Sequence, residues 1–516
     1  MEKIEFQQKN KILLKLIITT ILLILFIGSV SSIPFLFKQE NKITTSIGII
    51  EEPKNVTKSN NVILIIPDGF GVASQTLARE YEGVDFLTLD QIQKGTCHTN
   101  SASSPITDSA AAGTALACGL KTYNGRIAID TNGNPCVTLI EKAMDNSMAT
   151  GIVVKSRITH ATPASFSSHQ LDRNQELDIA VQQLNSAFGK IDILFGGGRD
   201  MFIPTSLGGK RTDGRNLETE AESKGYTVIH TTNELNQTNL QTPILGLFTS
   251  DNYPYVIDRQ NLTDFPTLQQ TSQKALELLS QKAQEEDING FFLLIECSLI
   301  DYCGHQNDPA AQVRETLQCN QVVKQMMDFI DSDSNENNTL LVVVADHETG
   351  GLYLDTSLEE IYKSQLTYVW NPDILKPITK SAYSMTDLVY YNGYSVEDVL
   401  SDFAQISNLT QSELDELNAA LNSHSFDQLN YALSDVISQR AQVGWTTHGH
   451  TGVDVIVYSY GNDSNSFVGS MDNTDIPKKI DQFLQFESLE SQKILENSEI
   501  SFYSSDSPKI NDSFHS

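Results

Sequence analysis

Carboxylate and imidazole side chains stand beside apolar runs at widely separated places in the chain. Seven of them form a set of candidate ligands: Asp68, Glu296, Asp301, His305, Asp346, His347 and His450. Asp68, Glu296 and Asp346 each come shortly after an apolar run, whereas His450 precedes one. A single acid after a strand is more often a turn or helix-cap residue, but a whole set is hard to explain as caps. Carboxylate and imidazole without thiolate suit zinc in a catalytic setting, and an all-oxygen set suits magnesium.

A serine in a run of small residues is the candidate nucleophile. Ser109 follows Thr107 and Asp108 and precedes Ala-Ala-Ala-Gly-Thr-Ala, which predicts the first turn of a tightly packed helix. The N-terminus of a helix favours an anion, because its backbone N–H groups and dipole point there. A serine hydroxyl is a poor nucleophile near neutral pH unless a base or a metal ion activates it. The alternative is that Asp108 or Ser109 serves only as an N-cap.

An arginine lies downstream of the motif Arg157-Ile-Thr-His-Ala-Thr-Pro163. Arg173 carries a guanidinium fork that matches two phosphate oxygens. Taken by itself, such an arginine is usually a solvated surface charge.

The elements that must position these residues are apolar runs alternating with helical stretches. The runs lie at 61–66, 151–154, 191–195, 291–295, 340–345 and 453–459, and helical spacing is clear at 267–284 and 309–330. This alternation predicts an α/β fold with a central, mostly parallel sheet flanked by helices on both faces. Ligands of such sheets bind beyond the carboxyl ends of the strands. Residues 355–443 break the rhythm and predict a helical insertion in a domain that spans 61–490.

The N-terminus predicts export. Residues 16–37 carry no charge and follow a lysine-rich segment at 1–15. At about 1.5 Å per residue the run can cross a bilayer, and the positive-inside rule places 1–15 in the cytoplasm. A cleaved signal peptide is the alternative. The protein is therefore expected to be membrane-anchored with an extracytoplasmic domain, or secreted, with a linker at 38–60 and a polar tail at 491–516.

The net charge limits the classes of ligand that the protein can bind, and the cysteine content limits the kinds of site that it can form. The net charge of −30 disfavours binding to nucleic acid, and an anionic substrate would need local cations. The six cysteines are Cys97, Cys118, Cys136, Cys297, Cys303 and Cys319. Both disulfides and buried free thiols are compatible with them, and none shows the C-x-x-C spacing of a zinc site.

Six motifs, in order along the chain, carry a resemblance to a known family. They are Pro67-Asp-Gly-Phe-Gly, Thr107-Asp-Ser-Ala-Ala-Ala, Thr159-His-Ala-Thr-Pro, Glu296-x4-Asp301-x3-His305, Ala345-Asp-His347 and His450-Thr-Gly. In these motifs the chain resembles the alkaline phosphatase family, across about 61–462. The resemblance implies hydrolysis of small phosphate monoesters through a phosphoserine at Ser109, with Arg173 holding the phosphoryl oxygens. It leaves a homodimer open.

The resemblance also implies three metal ions. One Zn²⁺ would take Asp301, His305 and His450. A second Zn²⁺ would take Asp346, His347 and Asp68, with Ser109 beside it. Mg²⁺ would take Asp68, Thr162 and Glu296. These cations would reverse the local sign of an acidic protein.

The roles of four residues and the choice among several functions stay open. His448 is a second candidate for the role of His450, although the His-Thr-Gly context favours His450. His160 and Tyr302 occupy positions that vary in the family and bear on magnesium and phosphate affinity. Cys303 is expected to serve packing or a disulfide. The competing functions are a related phosphodiesterase, a sulfatase, and a cell-surface protein that binds phosphate or zinc without turnover.

Overall fold

The computed structural model describes residues 60–260, 262–332, 338–354 and 370–486. The predicted segments 1–15, 16–37 and 491–516, and the linker up to residue 59, lie outside the described residues. Within the described ranges, none of the helices combines the length and apolar character that a bilayer crossing requires.

The strands belong mainly to one large sheet. In chain order they are β1 (Asn60–Ile66), β2 (Gln93–His98), β3 (Ala149–Arg157), β4 (Ile193–Gly197), β5 (Thr227–Ile229), β6 (Ile244–Leu247), β7 (Phe291–Glu296), β8 (Asn338–Val344), β9 (Glu348–Thr349), β10 (Tyr353–Leu354), β11 (Val443–Gly444), β12 (His450–Thr451), β13 (Val455–Gly461) and β14 (Gly469–Asp472). Ten of them form a sheet in the order β14-β2-β13-β8-β1-β7-β3-β4-β6-β5. Its central strands β1, β3 and β7 are almost entirely buried, as expected where helices cover both faces.

The α-helices are α1 (Val72–Glu82), α2 (Thr88–Gln91), α3 (Ser109–Cys118), α4 (Leu139–Asp145), α5 (Ala161–Ser167), α6 (Glu176–Gln183), α7 (Leu217–Ser223), α8 (Thr232–Leu235), α9 (Leu268–Glu285), α10 (Leu299–Gln306), α11 (Pro309–Ser332), α12 (Ala382–Asn392), α13 (Val396–Ala404), α14 (Gln411–Asn422), α15 (Phe426–Ala441) and α16 (Asp475–Leu484). The two helices predicted at 267–284 and 309–330 are α9 and α11. The predicted α/β fold class is confirmed.

Strand direction explains why one candidate ligand precedes its strand. Adjacent strands pair in parallel from β8 through β1, β7, β3, β4 and β6 to β5. Strand β13 runs antiparallel to β8 on one side and to β2 on the other. The start of β13 therefore lies at the same edge as the carboxyl ends of β1, β7 and β8. His450, which comes before β13, reaches the edge where Asp68, Glu296 and Asp346 lie.

Four strands of the sheet lack a clear sequence signal. Strand β2 is largely polar and only partly buried, and β5, β6 and β14 are three or four residues long. All four lie at or next to an edge of the sheet. A search for continuous apolar runs does not find strands of this kind.

The region predicted as an insertion is helical where it is described. Helices α12, α13, α14 and α15 each begin after a capping hydroxyl residue: Ser381, Ser395, Thr410 and Ser425. Strands β10 and β11 pair in antiparallel fashion and so bring the two ends of this region together. Asp308 and Asp258 accept hydrogen bonds from the backbone N–H groups of Ala382 and Ser381, which fastens α12 to the sheet domain.

Four of the six cysteines form disulfides in the structure. The pairs are Cys118–Cys136 and Cys297–Cys319, while Cys97 and Cys303 are buried free thiols. The sequence left both fates open, and both occur. Cys303 is buried in the core and serves packing, as expected.

Candidate active site

The ten predicted site residues come from eight separate places in the fold. Asp68 and Asp346–His347 follow β1 and β8; Glu296 ends β7; Asp301 and His305 lie in α10; Ser109 begins α3; Thr162 lies in α5; Arg173 precedes α6; and His450 begins β12. Ser109, Asp68, Glu296 and His347 are at most 1% exposed. The structure brings all ten into one connected cluster.

Asp301, His305 and His450 are in mutual contact. The two Nε2 atoms of His305 and His450 lie 3.2 Å apart, and each is within 3.6 Å of an Asp301 carboxylate oxygen. The Nδ1 atoms face outward, to the backbone carbonyls of His448 and Thr107. Since a carbonyl oxygen can only accept, each Nδ1 carries a proton, and in the neutral imidazole the lone pair that a metal ion needs is therefore on Nε2.

His448, the second candidate for this position, supports the cluster from outside. Its carbonyl accepts from His305, and its ring nitrogen Nδ1 lies 2.9 Å from the carbonyl of His305. Its ring stacks on Tyr431 with centroids 3.7 Å apart. Of the two histidines, His450 alone places a ring nitrogen among these ligand atoms.

A second group contains Asp68, Asp346 and His347. Their ligand atoms lie within 4.8 Å of one another, with His347 Nε2 3.2 Å from an Asp346 oxygen and 3.7 Å from an Asp68 oxygen. The Ser109 hydroxyl lies 3.1 Å from the same nitrogen. The Nδ1 atom of His347 contacts the hydroxyl of Thr349, which fixes the ring. The nucleophile candidate therefore lies directly beside this group.

The third group shares Asp68 with the second. Asp68, Glu296 and His160 offer ligand atoms within 4.8 Å of one another, and Thr162 donates to Asp68 at 3.3 Å. The resemblance implied Asp68, Thr162 and Glu296 for this position and treated His160 as a variable neighbour. The structure adds His160 as a candidate ligand.

The buried carboxylates of these groups are electrostatically suited to cations. Burial, together with neighbouring carboxylates, raises the pKa of Asp68 well above its usual range and that of Asp346 to about 7. Asp68 Oδ1, Glu296 Oε1 and Asp346 Oδ2 have no hydrogen-bond partner among the described residues. Uncompensated buried charge is costly. The carboxyl groups of these clusters can therefore all be ionised at once only when metal ions compensate their charge. The donor set fits zinc at the imidazole-rich positions and magnesium at the oxygen-rich one.

Asp301 and His347 have pKa values shifted the other way. Burial opposes ionisation of Asp301, but His305 and His450 outweigh it and hold the pKa well below the usual range. Burial and the neighbouring His450 hold the pKa of His347 well below its usual range. Asp301 is therefore a carboxylate and His347 a neutral imidazole, which are the forms that bind metal ions.

Serine and threonine residues outside the sequence motifs orient the candidate ligands. Thr349 donates to Asp301, and Ser156 and Ser298 both donate to the second oxygen of Glu296. Lone serines and threonines carry no sequence signal of such a role. Their partners become visible only when the strands are assembled.

Ser109 and Arg173 are linked through Asp108. One Asp108 oxygen caps α3 by accepting from Ala111, and the other accepts from Arg173 at 3.2 Å. Asp108 is thus an N-cap, as the alternative held, and Ser109 is the first residue of the helix. Burial opposes the charge on Arg173, but Asp108 outweighs it and raises the pKa of the guanidinium, which stays cationic.

The cluster opens to the surface through a cavity of about 330 Å³. Arg173, His305 and His450 form part of its wall together with Ile106 and Asn124. Arg173 and two residues of the first group therefore line an accessible space, and the contacts described above connect them to the Ser109 hydroxyl and to the other two groups. This is the arrangement that phosphoryl transfer requires.

Comparison with known proteins assigns the family. The family model described as Alkaline phosphatase matches residues 59–486. The chain belongs to the alkaline phosphatase family. It is 38% identical to repressible alkaline phosphatase of Saccharomyces cerevisiae over an alignment of 473 positions, which covers 83% of this chain and 82% of the relative. It is 34% identical to alkaline phosphatase 3 of Bacillus subtilis over an alignment of 474 positions, which covers 89% of this chain and 96% of the relative.

Solved structures agree with the assignment. The crystal structure of Thermus thermophilus alkaline phosphatase superimposes with a TM-score of 0.72 at 29% identity, covering 85% of this chain and 95% of that one. Enzymes of this family are metal-dependent phosphoric monoester hydrolases, and the chain shares that enzyme class.

Gly69 permits the close approach of Asp68 to α10, and alanine there should damage the site. Gly69 has φ +73°, and an added Cβ would lie 2.5 Å from the Asp301 Cα. Gly83 has the same φ with nothing within 4 Å, so Gly83→Ala costs only the left-handed conformation, roughly 1–2 kcal/mol. We expect Gly69→Ala to lower metal content and phosphatase activity at least about tenfold, because it displaces a candidate ligand, and Gly83→Ala to leave both unchanged. Equal metal content and activity in the two variants would contradict this.

Proposed function

We propose that the protein hydrolyses phosphate monoesters through a phosphoserine at Ser109, within a centre of two Zn²⁺ and one Mg²⁺. The observation that carries the proposal is the Ser109 hydroxyl, which lies 3.1 Å from His347 Nε2, with Arg173 linked to the same helix N-terminus. A hydroxyl so placed can attack a phosphorus atom held by the arginine.

The ligand assignment follows the three groups. Asp301, His305 and His450 would hold one Zn²⁺. Asp68, Asp346 and His347 would hold the second, and Asp68, Thr162 and Glu296 the Mg²⁺. His160 lies close enough to take part in the third site. When bound, these ions supply Lewis-acid stabilisation of the negative charge that develops on oxygen.

The residues of the chain perform the remaining steps. Arg173 binds two oxygens of the phosphoryl group and orients it in line with the Ser109 hydroxyl. The Ser109 oxygen forms a bond to phosphorus while the bond to the alcohol oxygen breaks, and the alcohol leaves with a proton. Water then attacks the phosphoserine, the bond from phosphorus to the Ser109 oxygen breaks, and inorganic phosphate is released with the serine restored.

The preference for monoesters can be tested through Arg173. Arg173→Lys keeps the charge but loses the bidentate fork, so KM for p-nitrophenyl phosphate should rise about tenfold to 100-fold. Inorganic phosphate should inhibit this variant correspondingly more weakly. The wild-type protein should cleave p-nitrophenyl phosphate far faster than bis-(p-nitrophenyl) phosphate or p-nitrophenyl sulfate. Preference for the diester or the sulfate would replace the proposal with the competing phosphodiesterase or sulfatase.

We also propose that the catalytic domain acts outside the cytoplasm. The two disulfides support this, because such bonds persist in oxidising compartments. Residues 16–37 would serve as a membrane anchor or a cleaved signal peptide, with 38–60 as the linker, 61–490 as the catalytic domain, 355–443 as its insertion and 491–516 as the tail. A homodimer is proposed as the assembly, to be checked by the solution mass of the purified protein.

A further inference from the structure

A second cavity, of about 330 Å³, lies where α12 meets the sheet domain. Much of its wall is apolar or aromatic: Tyr253, Pro254, Tyr255, Leu299, Tyr302 and Tyr383. Tyr383 belongs to α12, and the other five belong to the sheet domain. A cavity with this lining suits a flat organic group.

This cavity adjoins the candidate active site through a short chain of contacts. Tyr302 follows the ligand Asp301 and lines the cavity, and its ring centroid lies 5.8 Å from that of His160. His160 Nε2 lies 3.2 Å from an Arg173 nitrogen. The side chains of Tyr302 and His160 therefore link this cavity to the arginine that is proposed to bind phosphate.

The charges around the cavity argue against a second anionic group. Arg157 is the cationic residue in its described lining, and its guanidinium bonds to Glu176 on one side and to Asp251 at 2.9 Å on the other. Asp251 and Asp258 add two carboxylates to the wall. An additional phosphate or carboxylate would meet negative charge here, whereas an uncharged ring would not.

We infer that this cavity binds the alcohol part of the substrate and selects monoesters whose alcohol carries an uncharged aromatic ring. This inference rests on the proposed function. It adds a substrate class to the reaction and gives α12 a part in recognising the substrate.

The test compares two substrates with similarly basic leaving groups, 2-phenylethyl phosphate and ethyl phosphate. In the full chain loaded with Zn²⁺ and Mg²⁺, kcat/KM should favour the phenyl substrate about tenfold or more, as burial of one ring predicts. Tyr383→Ala removes an aromatic ring from the cavity wall, and Ser384→Phe places a phenyl ring inside the cavity. Each should lower the preference at least about threefold, since either change removes part of the ring's contact with the wall. Calorimetry with 2-phenylethylphosphonate and ethylphosphonate should show the same differences without turnover.

Tyr391→Ala is the matched control. Tyr383 and Tyr391 both lie in α12 and both contact the ring of Phe426, but Tyr391 does not line the cavity. Its substitution should leave the preference unchanged. The inference would be overturned if wild type, Tyr383→Ala and Ser384→Phe all hydrolysed ethyl phosphate and all showed the same preference for the phenyl substrate. Failure of the loaded wild type to hydrolyse ethyl phosphate would instead overturn the proposed function beneath it.

Discussion

Replacing Ser109 with alanine is expected to lower kcat for p-nitrophenyl phosphate by about 10³- to 10⁶-fold, the range seen when a nucleophile is removed. The hydroxyl lies 3.1 Å from His347 Nε2 and belongs to the first residue of α3, and alanine removes it without changing the backbone of the helix. Metal content should be unaffected, because the ligand carboxylates and imidazoles remain. The measurement is steady-state kinetics beside metal analysis of the same preparation.

A second readout separates catalysis from mere phosphate binding. Wild-type protein quenched at mildly acidic pH should carry phosphate on the peptide that contains Ser109, and Ser109→Ala should carry none. Ser167→Ala is the control: Ser167 also lies in a buried helix, but its hydroxyl donates to the Pro163 carbonyl and accepts from the Gln183 amide rather than contacting a carboxylate or imidazole of the ligand groups. Ser167→Ala should keep wild-type kinetics. Full activity in Ser109→Ala, or phosphate trapped on another residue, would refute the assigned nucleophile.

Removal of metal ions should abolish activity and destabilise the fold. Asp68, Glu296, Asp301 and Asp346 are buried together, and without cations their charges repel. A metal ion present at 1,000 times its Kd stabilises the folded state by about 4 kcal/mol, so chelation should lower Tm substantially. Activity should return when Zn²⁺ and Mg²⁺ are added back. Glu296→Gln should lose the response to Mg²⁺ and keep the response to Zn²⁺.

The stability of the metal-free protein should fall as the pH rises. Burial and nearby carboxylates raise the pKa of Asp346 to about 7, above its value in the unfolded chain. The folded state therefore binds this proton more tightly, and the resulting stabilisation is complete below about pH 4 and lost as the pH rises through about 7. Tm of the chelated protein should fall between pH 5 and pH 8, and the metal-loaded protein should lack this fall. A chelated protein that keeps its activity and its Tm would contradict the three-metal centre.

Local sequence patterns were sufficient for much of the fold. Continuous apolar runs mark the buried strands β1, β3, β7, β8 and β13, because such strands need apolar residues on both faces. The helices α9 and α11 follow from apolar residues at helical spacing. Short or polar strands such as β2 and β14 were missed, since their pairing depends on neighbours that are remote in the sequence.

The chain by itself determined the residue types, their motifs and their order, because each motif is a short local pattern with a fixed chemistry. The tertiary structure decided which of these residues meet. The antiparallel direction of β13 carries His450 to the edge where β1, β7 and β8 end, and it leaves His448 outside the ligand group. Strand direction, disulfide pairing and hydroxyl partners such as Thr349 depend on contacts between segments far apart in the chain, and no local pattern encodes those contacts.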